Sequence, residues 1–280
     1  MQTQSNNPPI TQLFRLITSI ELAVLALTGF GLFFFTNTTR SLWPWPVAPF
    51  NAHFLGAVYL ASFVAITVLL VAGRWAPARL GLWMLVVYTT PVLVVSIVYL
   101  NRFNFHQWFT WGWFILFIGI PLNSAYNLWL YRHLSPADPT PVPPAWRLYL
   151  MIQCILLGLY GLGMLLAPAT FTAFWPWHLD EFHGRMYCAM FLAGAVASFL
   201  LLRGAASVEI LFLALTECTF GLLAILGVVI VDASQHTVNW SLLGTRFWLG
   251  IFTVLFLAGI GLTWLSLTRK PSGSTRTEQL

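Results

Sequence analysis

Charged residues are scarce in this chain. Only 8% of its 280 residues are Asp, Glu, Lys or Arg, and 59% are hydrophobic. A typical soluble domain carries about 25% charged residues. These charged residues are too few to form the polar surface of a soluble protein of this size. The surface of the protein must therefore face lipid. Several apolar runs approach the length of about 20 residues that a helix needs to cross the hydrocarbon core. The composition therefore predicts a polytopic helical membrane protein.

Several chemical motifs are also missing, and each absence argues against a function. The only lysine, Lys270, lies in the polar tail, which excludes a retinal Schiff base within the spans. The three cysteines lack CxxC spacing, so disulfide redox chemistry has little support. No acidic DxxxD pair and no phosphate-binding glycine loop is present. The first ten residues lack a basic start and a cleavage site, so we expect the first apolar segment to be a retained span.

Hydropathy predicts an all-α integral membrane protein with eight transmembrane helices. The predicted spans are residues 13–36, 52–73, 80–100, 110–131, 148–167, 183–203, 208–231 and 243–268. The polar stretch at 132–147 contains five prolines, which predicts a semi-rigid cytoplasmic linker. The linker separates a first four-helix unit at 1–131 from a second at 148–268. A polar, basic tail follows at 269–280.

The two halves of the chain are related in sequence. A shift of 132 positions aligns them without a gap from Arg15 to about Leu70. The shift places the Trp-Pro-Trp stretch at 43–45 on that at 175–177, and chance matching of apolar residues does not easily produce this. An even number of spans in each half makes both halves cross in the same direction. The sequence therefore predicts two parallel four-helix repeats.

Basic residues predict the orientation of the spans. Nine lie on the side of the termini and four on the opposite side. Under the positive-inside rule, we expect both termini in the cytoplasm. The membrane is expected to be a bacterial plasma membrane. The net charge of +5 then reflects topology, so we expect the lipid bilayer as a partner and no nucleic acid. The tryptophans of both Trp-Pro-Trp stretches map to the outer interface, where we expect an aromatic belt.

Acidic residues within the spans are the costliest feature of the sequence. A charge at the bilayer centre costs at least about 2.5 kcal/mol, so such residues are functional candidates. Glu209 lies at a predicted helix start, where the helix dipole favours an acid. Glu21 and Glu217 lie deeper, and Gln153 aligns with Glu21 in the repeat. We expect Glu21, Gln153, Glu217 and the neighbouring Thr89 to bind a ligand or ion. The alternative is a set of interhelical hydrogen bonds without a ligand.

A second polar set is expected on the outer face. It comprises His53, Arg185, His106 and His236. Neutral imidazoles near an interface could ligate haem or chlorophyll. No CxxCH, HExxH or closely paired histidines are present in the spans, so no metal site is predicted.

Two arginines on the same face have predicted partners. Arg102 aligns with Asp232 in the repeat, which predicts a pair between the halves. Arg185 lies at a helix start, where it could bind an anionic head group or pair with Asp180 or Glu181.

Three functions remain open at this point. The preferred one is binding or transport of a small or hydrophobic ligand through an intramembrane polar cavity, because the intramembrane acids are otherwise unexplained. The second is a membrane-embedded redox, pigment- or haem-binding subunit that uses the outer histidines. The third is a structural subunit of a larger complex, with membrane-protein partners or further copies of itself. No catalytic residue is assigned.

Overall fold

The protein is an all-α membrane protein, as the sequence predicts. The computed structural model describes residues 7–134 and 141–269. Within these ranges, eight helices are long and apolar enough to cross a membrane. They are α1 (Gln12–Phe34), α3 (Pro49–Ala72), α4 (Trp75–Val98), α5 (Trp108–Leu130), α6 (Pro144–Leu166), α8 (Glu181–Leu202), α9 (Ser207–Gln235) and α10 (Leu243–Thr268). Two short helices, α2 (Thr36–Leu42) and α7 (Pro168–Phe171), follow α1 and α6.

The predicted linker is shorter than expected. Helix α6 begins at Pro144, so residues 144–147 belong to the helix and not to the connection. Proline suits the first helical position because its missing N–H has no partner there and its φ is already helical. Residues 135–140 of the linker, and all of the predicted tail except Arg269, lie outside the described residues.

Local sequence signals define several helix ends. The Thr11 side chain caps α1 by accepting a hydrogen bond from the backbone N–H of Phe14. Asp180 caps α8 in the same way through the N–H of His183. Helix α3 ends at Ala72, and the residue that caps it, Gly73, has a φ of 58°. Glycine adopts this left-handed conformation without steric cost, so the chain turns there directly into α4.

Four helices form the centre of the bundle. Helix α3 packs against α9, and α4 packs against α8. Around them, α1 packs on α3, α6 on α8, α5 on α4 and α10 on α9. Helices α3 and α8 are the most enclosed, with 61% and 56% of their apolar windows buried. These contacts come in corresponding pairs from the two halves of the chain. The contact of α1 with α3 corresponds to that of α6 with α8, that of α4 with α5 to that of α9 with α10, and that of α3 with α9 to that of α8 with α4. The two-repeat arrangement itself stays a prediction.

The Trp-Pro-Trp stretches do not form an interfacial belt. Trp43, Trp45, Trp175 and Trp177 are each at most 8% exposed and belong to the aromatic core. The belt prediction is wrong for these four because their rings pack on one another and on neighbouring aromatic side chains. Trp108, Trp111 and Trp240 remain exposed.

Two of these tryptophans join the halves of the chain. The indole N–H of Trp45 donates to Nε2 of His183 over 3.1 Å. The indole N–H of Trp177 donates to Oδ1 of Asn51 over 2.8 Å. Asn51 and His183 are aligned by the same shift of 132 positions. Each half therefore supplies both a tryptophan donor and a polar acceptor to the other.

Candidate functional site

The helices enclose a cavity of about 430 Å³. This volume lies within the range of roughly 300–1,000 Å³ found for small-molecule sites. Residues from all eight long helices line it, and most of them are aliphatic or aromatic. The four residues of the predicted inner site all lie in this lining: Glu21, Thr89, Gln153 and Glu217. The fold thus brings together four polar side chains from four helices, while their role in ligand binding stays a prediction.

Glu217 of α9 is held by two donors from α6. Its Oε1 accepts a hydrogen bond from the amide of Gln153 over 2.5 Å, and its Oε2 accepts one from the hydroxyl of Tyr149 over 3.1 Å. The hydroxyl of Ser198 lies 3.0 Å from Oε1 of Gln153, to which it can donate. Both carboxylate oxygens are therefore satisfied within the protein, as the alternative of interhelical hydrogen bonds predicts.

Sequence reasoning missed two members of this network. Tyr149 lies four residues before Gln153, so both side chains project from one face of α6. That spacing could have identified Tyr149. Ser198 lies on α8, and no feature of the sequence indicates its contact with Gln153.

Glu21 has a different environment. Its side chain is only 7% exposed and lines the cavity. Its Oε1 has no hydrogen-bond partner among the described residues. Most buried polar atoms in proteins are hydrogen-bonded, so this oxygen differs from those of Glu217, whose partners lie within the protein.

Thr89 is already satisfied as a donor. Its hydroxyl donates to the carbonyl oxygen of Leu85, one turn earlier in α4, over 2.6 Å. Thr89 therefore shapes the wall and keeps only acceptor capacity for a ligand.

Trp43 is a further polar residue of the cavity that the sequence did not identify. The Trp43 side chain lines the cavity, and its buried indole N–H has no hydrogen-bond partner among the described residues. The aligned tryptophan, Trp175, donates to the hydroxyl of Tyr160 over 2.7 Å. The shift of 132 positions places Thr28 where the second half has Tyr160. Thr28 is too short to supply that phenol and instead lines the cavity.

The outer-face set does not meet at the cavity. None of His53, Arg185, His106 and His236 belongs to its lining. Nδ1 of His53 lies 3.0 Å from the carbonyl oxygen of Pro49, and its Nε2 lies 3.4 Å from the hydroxyl of Thr36. His106 and His236 are exposed in the loops that follow α4 and α9. Within residues 7–134 and 141–269, no group of three His, Cys, Asp or Glu side chains could hold a metal ion.

Arg185 pairs with an acid, which is one of its two predicted roles. Its Nη1 lies 2.7 Å from Oε2 of Glu181, one helical turn away. The same guanidinium donates to the hydroxyl of Tyr99.

The predicted pair between Arg102 and Asp232 is wrong. Nη1 of Arg102 lies 3.7 Å from Oδ2 of Asp180 instead. The carboxylate of Asp232 accepts hydrogen bonds from the backbone N–H of Val238 and the indole of Trp240, over 2.8 and 2.7 Å. Asp232 is used to order the loop after α9 because those donors are local in sequence.

Asp180 forms a charged contact at the start of α8. Burial alone would raise the pKa of its carboxyl, but hydrogen bonds from the side chain and backbone of His183, together with the charge of Arg102, lower the pKa to about 2. The ionised carboxylate accepts from Nδ1 of His183 over 2.6 Å. This bond leaves Nε2 of His183 as the acceptor for the indole of Trp45.

Replacement by methionine is expected to affect stability at only one of the two deep acids. Glu217→Met removes the acceptor of two buried donors, so we expect the free energy of unfolding to fall by about 1–3 kcal/mol. Glu21→Met removes an oxygen that has no partner, so we expect no loss of stability. Reversible unfolding in detergent measures both. Equal destabilisation by the two substitutions would contradict the difference between their environments.

Comparison of the chain with protein-family models, with curated proteins and with solved structures finds no match. The protein is therefore characterised by its own architecture, as a polytopic helical membrane protein that encloses a largely apolar cavity with two carboxyl groups in its wall.

Proposed function

We propose that the protein binds a small, largely apolar ligand in this cavity, and that binding serves transport of the ligand. The cavity itself, lined by Glu21 whose buried Oε1 has no partner among the described residues, is the observation that carries the proposal. A purely structural cavity would be expected to pair its buried polar atoms within the protein. The histidines of the redox alternative lie away from the lining, which favours ligand binding over that alternative.

The ligand enters from the side of the bundle. Two residues of the cavity wall, Leu27 of α1 and Trp108 of α5, are 78% and 71% exposed. The cavity therefore opens on the side of the helical bundle, between α1 and α5. In a membrane-spanning bundle this surface faces lipid, so a hydrophobic ligand reaches the cavity without crossing the aqueous phase.

A bulky substitution that fills part of the cavity tests this function. Gly112 of α5 lines the cavity, and a Cβ atom added there meets no atom within 4 Å. Gly112→Phe should therefore place a ring in the cavity without straining the helix. We expect it to weaken binding of tritiated decylamine, decan-1-ol or decanoic acid at least about 10-fold, which corresponds to about 1.4 kcal/mol. Binding is measured in phosphatidylcholine nanodiscs, with the signal of empty nanodiscs subtracted. Release of entrapped decyltrimethylammonium from proteoliposomes should slow in parallel.

Gly119→Phe is the matched control. Gly119 lies on the same helix, and its added Cβ also meets no atom within 4 Å, but it is not part of the cavity wall. This variant should bind the probes as the wild-type protein does. The proposal fails if Gly112→Phe leaves the binding of all three probes unchanged.

A further inference from the structure

The ionisable acids and bases of the cavity wall are unbalanced, because it has acidic but no basic side chains among the described lining residues. It carries two carboxyl groups, those of Glu21 and Glu217, and its described lining contains no Lys, Arg or His. A buried carboxylate without a cation is costly, and an anionic ligand would add a second negative charge beside it. The wall therefore disfavours acids and favours a ligand that brings positive charge.

We propose that the ligand is a lipophilic amine, bound as its ammonium form with the head group on the carboxylate of Glu21. The proposal rests on the ligand-binding function above and specifies its substrate class. An ammonium group supplies both a positive charge and up to three N–H donors. A charged hydrogen bond of this kind is stronger than one from a neutral hydroxyl.

Glu21 is the acid whose hydrogen-bonding capacity is not used by the described residues. Glu217 already accepts from Tyr149 and Gln153, so its oxygens are oriented toward the protein. Glu21 is equally enclosed, at 7% exposure against 4%, yet its Oε1 has no partner among the described residues. The head group therefore binds at Glu21 and not at Glu217.

The remainder of the lining suits the rest of such a ligand. Aromatic rings form much of the wall, including Trp43, Tyr59, Tyr88, Trp113 and Phe117. The negative faces of aromatic rings attract cations, and the rings also cover apolar chains well. Trp113 is fixed in place because its indole N–H donates to the hydroxyl of Ser96 over 3.0 Å. The wall thus accommodates an ammonium group and a hydrocarbon chain together.

Three probes with one chain length and different head groups test the substrate class. The probes are decylamine, decan-1-ol and decanoic acid, measured against wild-type protein in phosphatidylcholine nanodiscs at neutral pH. We expect decylamine to bind at least about 10-fold more tightly than decan-1-ol, and decanoic acid to bind most weakly. Glu21→Gln should weaken decylamine binding about 10- to 100-fold while leaving decan-1-ol within about 3-fold of wild type.

Ser19→Gln is the matched control for the Glu21 variant. Ser19 lies on the exposed side of α1 and outside the cavity wall, so this variant should bind decylamine normally. Retention of the wild-type melting temperature in Glu21→Gln shows that the variant is folded. Should it not fold, the comparison of the three probes on wild-type protein decides the question alone.

Two results would overturn the amine proposal. One is binding of decanoic acid as tight as that of decylamine, and the other is unchanged decylamine binding in Glu21→Gln. If either occurs while Gly112→Phe still weakens probe binding, the cavity remains a ligand site and only the substrate class is wrong. If Gly112→Phe has no effect on any probe, the ligand-binding function itself is wrong.

Discussion

Replacement of Arg79 by methionine is expected to lower the free energy of unfolding by about 3–5 kcal/mol. Nη2 of Arg79 lies 2.8 Å from Oε1 of Glu209, whose side chain is completely buried. Oε2 of Glu209 accepts a hydrogen bond from the backbone N–H of Ala206 over 2.9 Å. Without Arg79 the carboxylate stays buried and loses its cation, so the substitution costs the full desolvation of that charge. Urea titration in detergent, followed by circular dichroism, measures the loss.

A second substitution at Glu209 should restore most of this stability. Arg79→Met combined with Glu209→Gln removes the unpaired charge, and the amide of glutamine can still accept the hydrogen bond from Ala206. We therefore expect the double variant to be more stable than Arg79→Met alone. A double variant that is less stable than either single variant would show that the pair is not coupled in this way.

Replacement of Gly259 by leucine should separate α9 from α10 and destabilise the protein by about 3 kcal/mol or more. A Cβ atom at Gly259 would lie 2.5 Å from the backbone nitrogen of Cys218 and 2.7 Å from the carbonyl oxygen of Ala214. Both atoms belong to the backbone of α9, which cannot move aside as a flexible side chain does. Gly221 makes the reciprocal contact, since its Cβ would lie 2.6 Å from the carbonyl oxygen of Phe252. Close packing through small residues is a common basis of helix association in membranes.

Gly250→Leu provides the control on the same helix. A Cβ atom added at Gly250 meets no atom within 4 Å. Leucine favours a helix over glycine by up to about 1 kcal/mol, so this variant should be at least as stable as wild type. The melting temperatures of the two variants in one detergent decide the comparison. Equal melting temperatures would contradict the close approach of α9 and α10.

The span pattern was predictable because it is a local property of the chain. Each span is a run of about 20 apolar residues, and such a run must form a helix in lipid to pair its backbone groups. All eight predicted spans are present in the structure. Their ends were predicted less well, as α6 shows, because a proline-rich start reads as a linker when hydropathy alone is considered.

The inner site was predictable in its members but not in their roles. Depth along the helices was enough to place Glu21, Gln153 and Glu217 near one level, with Thr89 as an expected neighbour. Only the packing of α6 against α8, and the approach of α6 to α9, gives Glu217 its donors, while no described residue pairs with Oε1 of Glu21. A carboxyl group in a span therefore indicates a site, while its neighbours decide whether that site is already occupied by the protein.

The sequence by itself determined the class of the protein, the number of its spans and the positions of the costly acids, because hydropathy and helix rise depend only on the order of residues. The tertiary structure decided which side chains meet. It buried the Trp-Pro-Trp stretches between the halves, turned Arg102 toward Asp180, paired Arg79 with Glu209 and left a cavity beside Trp43 and Glu21. Hydrogen bonds and ion pairs act over a few ångströms, so their partners depend on which helices pack together and not on distance along the chain.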